Sequence, residues 1–176
     1  GTGTGIIPIL LSKKSKACHL TGLEIQPDMA EMAQRSIALN SLEDKINIVC
    51  GDICDADKYL KKNFYDVITT NPPYKRAGSG IKNDNNSKTV ARHEIHGTLE
   101  DFIRVSAGLL KNYGHFNMIC RPERLSDTIE SARKYKIEPK EITFVHSSIS
   151  KPPVMFLLHG VKGGGKNLVV TAPIVM

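Results

Sequence analysis

Apolar and polar positions along this chain switch repeatedly between a strand-like period of two and a helical period. Short runs rich in β-branched residues fall at His19–Ile25, Ile46–Cys50, Asp66–Thr70 and His115–Cys120. Helical spacing fits Gly5–Lys13, a stretch that Pro27 opens and that runs to Leu39, a short segment near Asp55–Lys61, Leu99–Leu110 and Glu123–Tyr135. In the second of these, Met29, Met32, Ala33, Ser36 and Ile37 follow the helical repeat and Asn40 is the stop signal. Gly114 reads as the break between the Leu99–Leu110 helix and the next strand. Three further strands close the chain, at Glu141–His146, Val154–Leu158 and Leu168–Val170. Strands alternating with helices predict an α/β domain whose sheet is mostly parallel, and the sequential strands at the end predict an antiparallel edge. No internal repeat or linker interrupts the pattern, so residues 1–176 read as a single domain.

Ligands of open α/β sheets bind at the C-terminal tips of strands, and the tips of this chain carry its informative residues. The run Tyr65-Asp66-Val67-Ile68-Thr69-Thr70 stops on Asn71-Pro72-Pro73-Tyr74. Two consecutive prolines donate no N–H and fix φ near −65°, so neighbouring carbonyls are left as acceptors. The Asn71 side-chain oxygen and the Pro72 carbonyl suit the two N–H bonds of a planar NH2 group, and Tyr74 offers an aromatic face to stack on it. A plain strand-ending turn uses the same residue types.

Three more tips fit the same scheme. Gly1-Thr2-Gly3-Thr4-Gly5 runs into a helix start, where free N–H groups and a close backbone approach suit an anionic or polar ligand. Glu24 closes the strand that follows and is either an acid that binds ribose hydroxyls or a solvated strand end. Asp52 follows Cys50-Gly51 and is either an acceptor for an adenine amino group or a helix cap.

In this order the four tips resemble those of the S-adenosylmethionine-dependent class I methyltransferases, in the branch that methylates planar amino or amide nitrogens. Thr89-Val90-Ala91-Arg92-His93-Glu94-Ile95-His96-Gly97-Thr98-Leu99-Glu100-Asp101 and Arg121-Pro122-Glu123-Arg124-Leu125 are similar to a narrower group, the bacterial tRNA1(Val) adenine N6-methyltransferases in their Gram-positive form. The resemblance implies a Rossmann-like, seven-stranded, mostly parallel sheet with helices on both faces. It implies S-adenosylmethionine as cofactor, held by Gly1, Thr2, Gly3, Gly5, Glu24, Ile25, Asp52, Ile53 and Asn71. It gives Asn71, Pro72, Pro73 and Tyr74 the catalytic role, and Tyr74, Lys75, Arg76, Arg92 and His93 the contact with an RNA substrate, tRNA in the first place. It also implies a central strand before Gly1, whose loss would leave a hole between the second and fourth strands. The domain then reads as N-terminally truncated, either a portion of a longer protein or a chain that does not bind cofactor normally. Glutamine N5 of a protein, guanine N2 of ribosomal RNA, and a non-catalytic RNA-binding role stand as alternatives to adenine N6.

Charge supports a polyanionic partner: 24 Lys and Arg stand against 18 Asp and Glu, for a net +6. The segment after Tyr74 holds Lys75, Arg76, Lys82, Lys88 and Arg92 among Gly, Asn and Ser residues and reads as a long loop beside the reactive tip. The cysteines, Cys18, Cys50, Cys54 and Cys120, form no C-x-x-C or zinc spacing. Cys18, Cys50 and Cys120 lie in or beside strand-like runs and are expected as buried reduced thiols of a cytoplasmic protein. No apolar run reaches the ~20 residues of a membrane span, and no metal is expected. Gly160-Val161-Lys162-Gly163-Gly164-Gly165-Lys166-Asn167 approaches a phosphate-binding loop but has Asn for the magnesium-binding Ser or Thr, and it reads as a hairpin turn. His93-Glu94-Ile95-His96 lacks the i,i+4 spacing of a zinc helix.

Overall fold

The computed structural model describes residues 1–73 and 97–176. Contacts divide the chain into two compact units, Gly1–Tyr59 and Leu60–Met176, each with its own apolar cluster.

The first unit is a β-α-β crossover preceded by a helix. Its elements are α1 (Ile6–Lys14), β1 (Leu20–Glu24), α2 (Pro27–Leu39), β2 (Ile46–Cys50) and a 3-10 turn at Ile53–Lys58. β1 and β2 are parallel, in register from Leu20↔Ile46 to Glu24↔Cys50. Pro27 sits in the first turn of α2, where its missing N–H costs nothing, with Asp28 at the positive end of the dipole. The inward face of α2 is Ala30, Ala33 and Ile37, packed with Leu42, Ile46 and Ile48. Met32, expected on that face, points to solvent. Small residues replace it for a steric reason. A Cβ on Gly5 would stand 3.2 Å from the Ala33 Cβ, so this part of α2 lies against the glycine loop and has no room for methionine. The expected helix near Asp55–Lys61 forms earlier, because Asp52 caps it.

The second unit contains β3 (Tyr65–Thr70), α3 (Leu99–Leu109), β4 (Leu110–Cys120), a 3-10 turn (Pro122–Arg124), α4 (Leu125–Lys134), β5 (Ile137–His146), β6 (Pro153–Lys162), β7 (Val169–Val170) and β8 (Ile174–Val175). The strands are ordered β3-β4-β6-β5-β7, with β8 also on β5. β3 and β4 are parallel, while β6 is antiparallel to both β4 and β5. Ile103 and Ala107 of α3 and Ala132 of α4 join Phe116, Met118, Ile142, Phe156 and Leu158 of the sheet in one buried cluster. Leu99 begins α3 behind a capping box, in which Thr98 Oγ1 accepts from the Asp101 N–H and Asp101 Oδ2 accepts from the Thr98 N–H.

The strands thus form a Rossmann-like α/β arrangement in two hydrogen-bonded pieces, and no described strand pairs with both β1 and β3. Three sequence expectations change. Gly114 does not end a helix; α3 stops at Leu109 and β4 begins at once, with Gly114 inside it. There a Cβ would approach the Lys111 carbonyl to 3.0 Å and the Asp66 carbonyl to 3.2 Å, so the strand can only double over at glycine. The glycine-rich stretch after β6 is not a hairpin: β7 and β8 lie parallel to β5, on its far edge. Gly163, at φ 70°, donates its N–H to the Lys136 carbonyl, carrying the chain across the start of β5. Finally, of the four cysteines only Cys120 is buried. Cys50 sits on the solvent side of an edge strand, and Cys18 precedes β1, so neither meets a core.

Candidate active site

In the first unit the glycine loop is anchored to the end of β1. Thr2 donates its N–H to the Leu23 carbonyl at 2.9 Å, as an added strand residue would. Gly22 makes room for this contact: a Cβ there would lie 2.9 Å from the Thr2 side chain and 2.8 Å from Ile48 Cδ1. Gly3 and Gly5 take positive φ, 57° and 83°, which only glycine adopts without strain. Gly5 then caps α1.

Glu24 is the centre of this region. It is only 4 % exposed. Its Oε2 accepts from the Gly3 N–H at 2.7 Å, and its Oε1 accepts from the Gln26 N–H at 3.1 Å. No described Lys or Arg side chain forms an ion pair with it. A carboxylate offers about four acceptor positions, so two further donors can be taken. Two backbone donors fix the group's orientation, and a vicinal diol would fill the remaining positions. The space beside Gly3 is open, with nothing within 4 Å of where a Cβ would stand. The residues present therefore fit a nucleoside whose ribose lies on Glu24. Asp52 does the helix-capping work that was one of its two readings: Oδ1 accepts from the Cys54 N–H at 2.8 Å. Ile25 and Ile53 are half-buried next to these acids, and Tyr59 covers Gly51, where a Cβ would clash with its ring at 2.7 Å.

In the second unit Asn71-Pro72-Pro73 leaves the C-terminal end of β3, with Asn71 and Pro73 exposed and Pro72 buried. Burying Pro72 fixes where its carbonyl and the preceding amide point. Thr70 pairs with Met118 of β4, so β4 ends beside this tip, on Cys120 and Arg121. Burial pushes the Cys120 thiol up, which keeps it a neutral packing group rather than a nucleophile. Tyr74, Lys75, Arg76, Arg92 and His93, expected to stack on and hold substrate, lie outside the described residues, as does the remainder of the long loop.

Residues 1–133 match the family model described as the methyltransferase small domain. The chain belongs to that family. Among curated relatives, the tRNA1(Val) (adenine(37)-N6)-methyltransferase of Porphyromonas gingivalis is 31% identical over 159 residues, covering 89% of this chain and 62% of the relative. The enzyme of the same name from Phocaeicola vulgatus is 27% identical over 158 residues, covering 90% of this chain and 65% of the relative. The chain thus spans less than two thirds of the length of these relatives. Among solved structures, a predicted O-methyltransferase from Agrobacterium tumefaciens superposes with a TM-score of 0.79 at 22% identity, over 100% of this chain and 77% of that one. A geranyl diphosphate methyltransferase in complex with S-adenosylmethionine gives 0.64 at 10% identity, over 92% and 75%. These likenesses establish the class I methyltransferase fold.

Structural features of this family member that the sequence reading passed over are Gly22, whose mid-strand glycine signals a close approach, and the turn Ser147–Pro152, whose Ser-Pro composition signals only a loop.

Proposed function

We propose that this protein transfers a methyl group from S-adenosylmethionine to an exocyclic amino nitrogen of an RNA base, adenine N6 of tRNA, and that its two units act as one methyltransferase domain. In this reading the first unit serves the donor: Gly1, Thr2, Gly3 and Gly5 give it a close backbone approach, Glu24 its ribose, and Asp52, Ile25 and Ile53 its adenine. The second unit serves the acceptor through Asn71, Pro72, Pro73 and Tyr74. S-adenosylmethionine supplies an electrophilic methyl on a sulfonium.

The acceptor nitrogen is the harder partner, because its lone pair is shared with the ring. The Asn71 side-chain oxygen and the Pro72 carbonyl accept its two N–H bonds. As the new N–C bond forms and the S–C bond breaks, the nitrogen becomes tetrahedral and its hydrogens more acidic, so both hydrogen bonds strengthen. Stabilisation that grows toward the transition state raises the rate. The cationic amine then loses one proton to solvent. The base must leave its stack to reach the tip, and Tyr74 gives it a new stacking face.

The observation that carries this reading is the position of Asn71, an exposed residue at the C-terminal end of β3 followed by two residues without N–H. Names of relatives support the RNA base, and charge supports a polyanion. The second unit holds eighteen Lys and Arg against ten Asp and Glu, the first six against eight. Full-length protein should be incubated with methyl-labelled S-adenosylmethionine and deproteinised tRNA, and the nucleosides separated by mass spectrometry. N6-methyladenosine is expected. Label on N2-methylguanosine of ribosomal RNA, or on glutamine of an added release factor but not on tRNA, overturns the adenine assignment.

A further inference from the structure

We propose that the β5–β6 turn, Ser147–Pro152, is a second RNA contact at the same end of the sheet as the acceptor tip, with Lys151 on a backbone phosphate and Ile149 against a base that flanks the methylated one. The inference rests on the RNA reading above.

Sheet topology puts the turn at the working end. β3 and β4 run parallel and end at Thr70 and Cys120, and β6 runs back with Cys120 opposite Phe156. His146, the last residue of β5, pairs with Pro153, the first of β6. The turn therefore leaves the same end of the sheet as Asn71 and Arg121. In the order β3-β4-β6-β5 it is displaced sideways from the Asn71 tip by two to three strand spacings, about 10–14 Å, and β6 extends from Phe156, opposite Cys120, out to Pro153, about 10 Å further along the strand direction. That separation reaches a flanking part of a nucleic acid strand and is too far for the methylated base itself.

The turn is internally tied. Lys151 donates its N–H to the Ser148 carbonyl at 3.0 Å, and Ser150 donates its N–H to Ser148 Oγ at 3.4 Å. The two serine hydroxyls bond each other at 3.0 Å, and His146 Nδ1 lies 2.7 Å from the Lys151 carbonyl. Polar groups of the turn thus satisfy one another, while its large side chains face outward. Ile149 is 71% exposed, an aliphatic group held in water at the tip of an ordered turn. Lys151 is exposed and no described carboxylate pairs with it. From Ser147 to Pro153 there is no acidic residue. An apolar side chain next to an unpaired ammonium matches the two faces of a nucleotide. One covers the face of an unstacked flanking base, and the other neutralises a phosphate.

Full-length protein tests this with Lys151→Ala, Lys151→Arg and Ile149→Ala. Both positions are exposed, so unchanged melting temperatures are expected for all three variants. Lys151→Ala should raise KM for tRNA several-fold and lower the slope of log Kd against log salt by about 1. Lys151→Arg should restore both. Ile149→Ala should raise KM several-fold through lost apolar contact and leave the salt slope unchanged. Affinity for S-adenosylmethionine should stay constant throughout. KM within two-fold of wild type and an unchanged salt slope in every variant, while the wild type methylates tRNA, overturn the proposal. Failure of the wild type itself to methylate tRNA overturns the RNA reading first, and this contact with it.

Discussion

The two units of this protein solve different problems with the same kind of strand tip. In the first, Glu24 is buried and held by two backbone N–H groups, and its loop glycines are placed by contacts of about 3 Å. Acidic residues outnumber basic ones there, eight to six. In the second, Asn71, Arg121 and Ile149 leave the ends of β3, β4 and β5 exposed, within a unit in which basic residues outnumber acidic ones eighteen to ten. The difference teaches where preorganisation is spent. Under the proposed function, a small donor of fixed shape meets a carboxylate already oriented by two backbone N–H groups, and a large flexible polyanion meets exposed groups and net charge, which tolerate variation in its path.

The sharpest way to break this contrast is Asn71→Ala. We expect methyl transfer to fall by about 10²–10³-fold, the usual loss for one transition-state hydrogen bond. Calorimetry should find S-adenosylmethionine affinity unchanged; equal loss of both would place Asn71 with the donor instead. Next in size is Glu24→Ala. It removes two hydrogen bonds to a charged acceptor, from the half-buried Gly3 N–H and the N–H of the exposed Gln26, at about 1.5–3 kcal/mol for each at most. Lower stability in a urea titration and lost donor affinity should appear together, with RNA binding spared. Gly22→Ala should be milder, about 1–3 kcal/mol from overpacking, because the new methyl displaces Thr2 and Ile48. If donor affinity survives that substitution, the anchoring of the loop to β1 is not what forms the pocket.

The smallest effect belongs to α3. Thr98→Ala should cost about 1 kcal/mol of stability as a lost cap. The backbone bond from Thr98, helped by the Thr98 hydroxyl and Arg104, holds the Asp101 carboxyl below the ordinary carboxylate range. A depressed folded value means the contribution is fully present above the unfolded value of about 3.9. It is lost as pH falls through the folded one. Asp101→Asn should therefore flatten the acid limb of the melting curve below about pH 4, and leave stability near pH 7 lower than wild type.

Local chemistry made several elements legible. α2 is bounded by Pro27 and Asn40, and Ile46–Cys50 is a β-branched run between turns, so both ranges agree with the structure. The Asn71 tip is legible because two prolines cannot continue a strand. The inward face of α2 is not legible as a Met face, because what decides it is the approach of a glycine loop distant in sequence. Nor is the end of α3, where the helical repeat of Leu109-Leu110 continues but Leu110 is taken by the sheet, opposite Tyr65. The glycine-rich stretch after β6 could not reveal its destination, since composition permits the reversal without choosing which edge receives β7.

For this protein, the sequence by itself determined the succession of strands and helices and the residues at each strand end. Those follow from backbone sterics and side-chain periodicity, which act over a few residues. Only the tertiary structure decided that Glu24 is pinned by Gly3 and Gln26, that Cys120 alone among the cysteines is buried, and that Ser147–Pro152 leaves the same end of the sheet as Asn71. Each depends on which strands lie side by side, and hydrogen bonding between segments far apart in the chain fixes that.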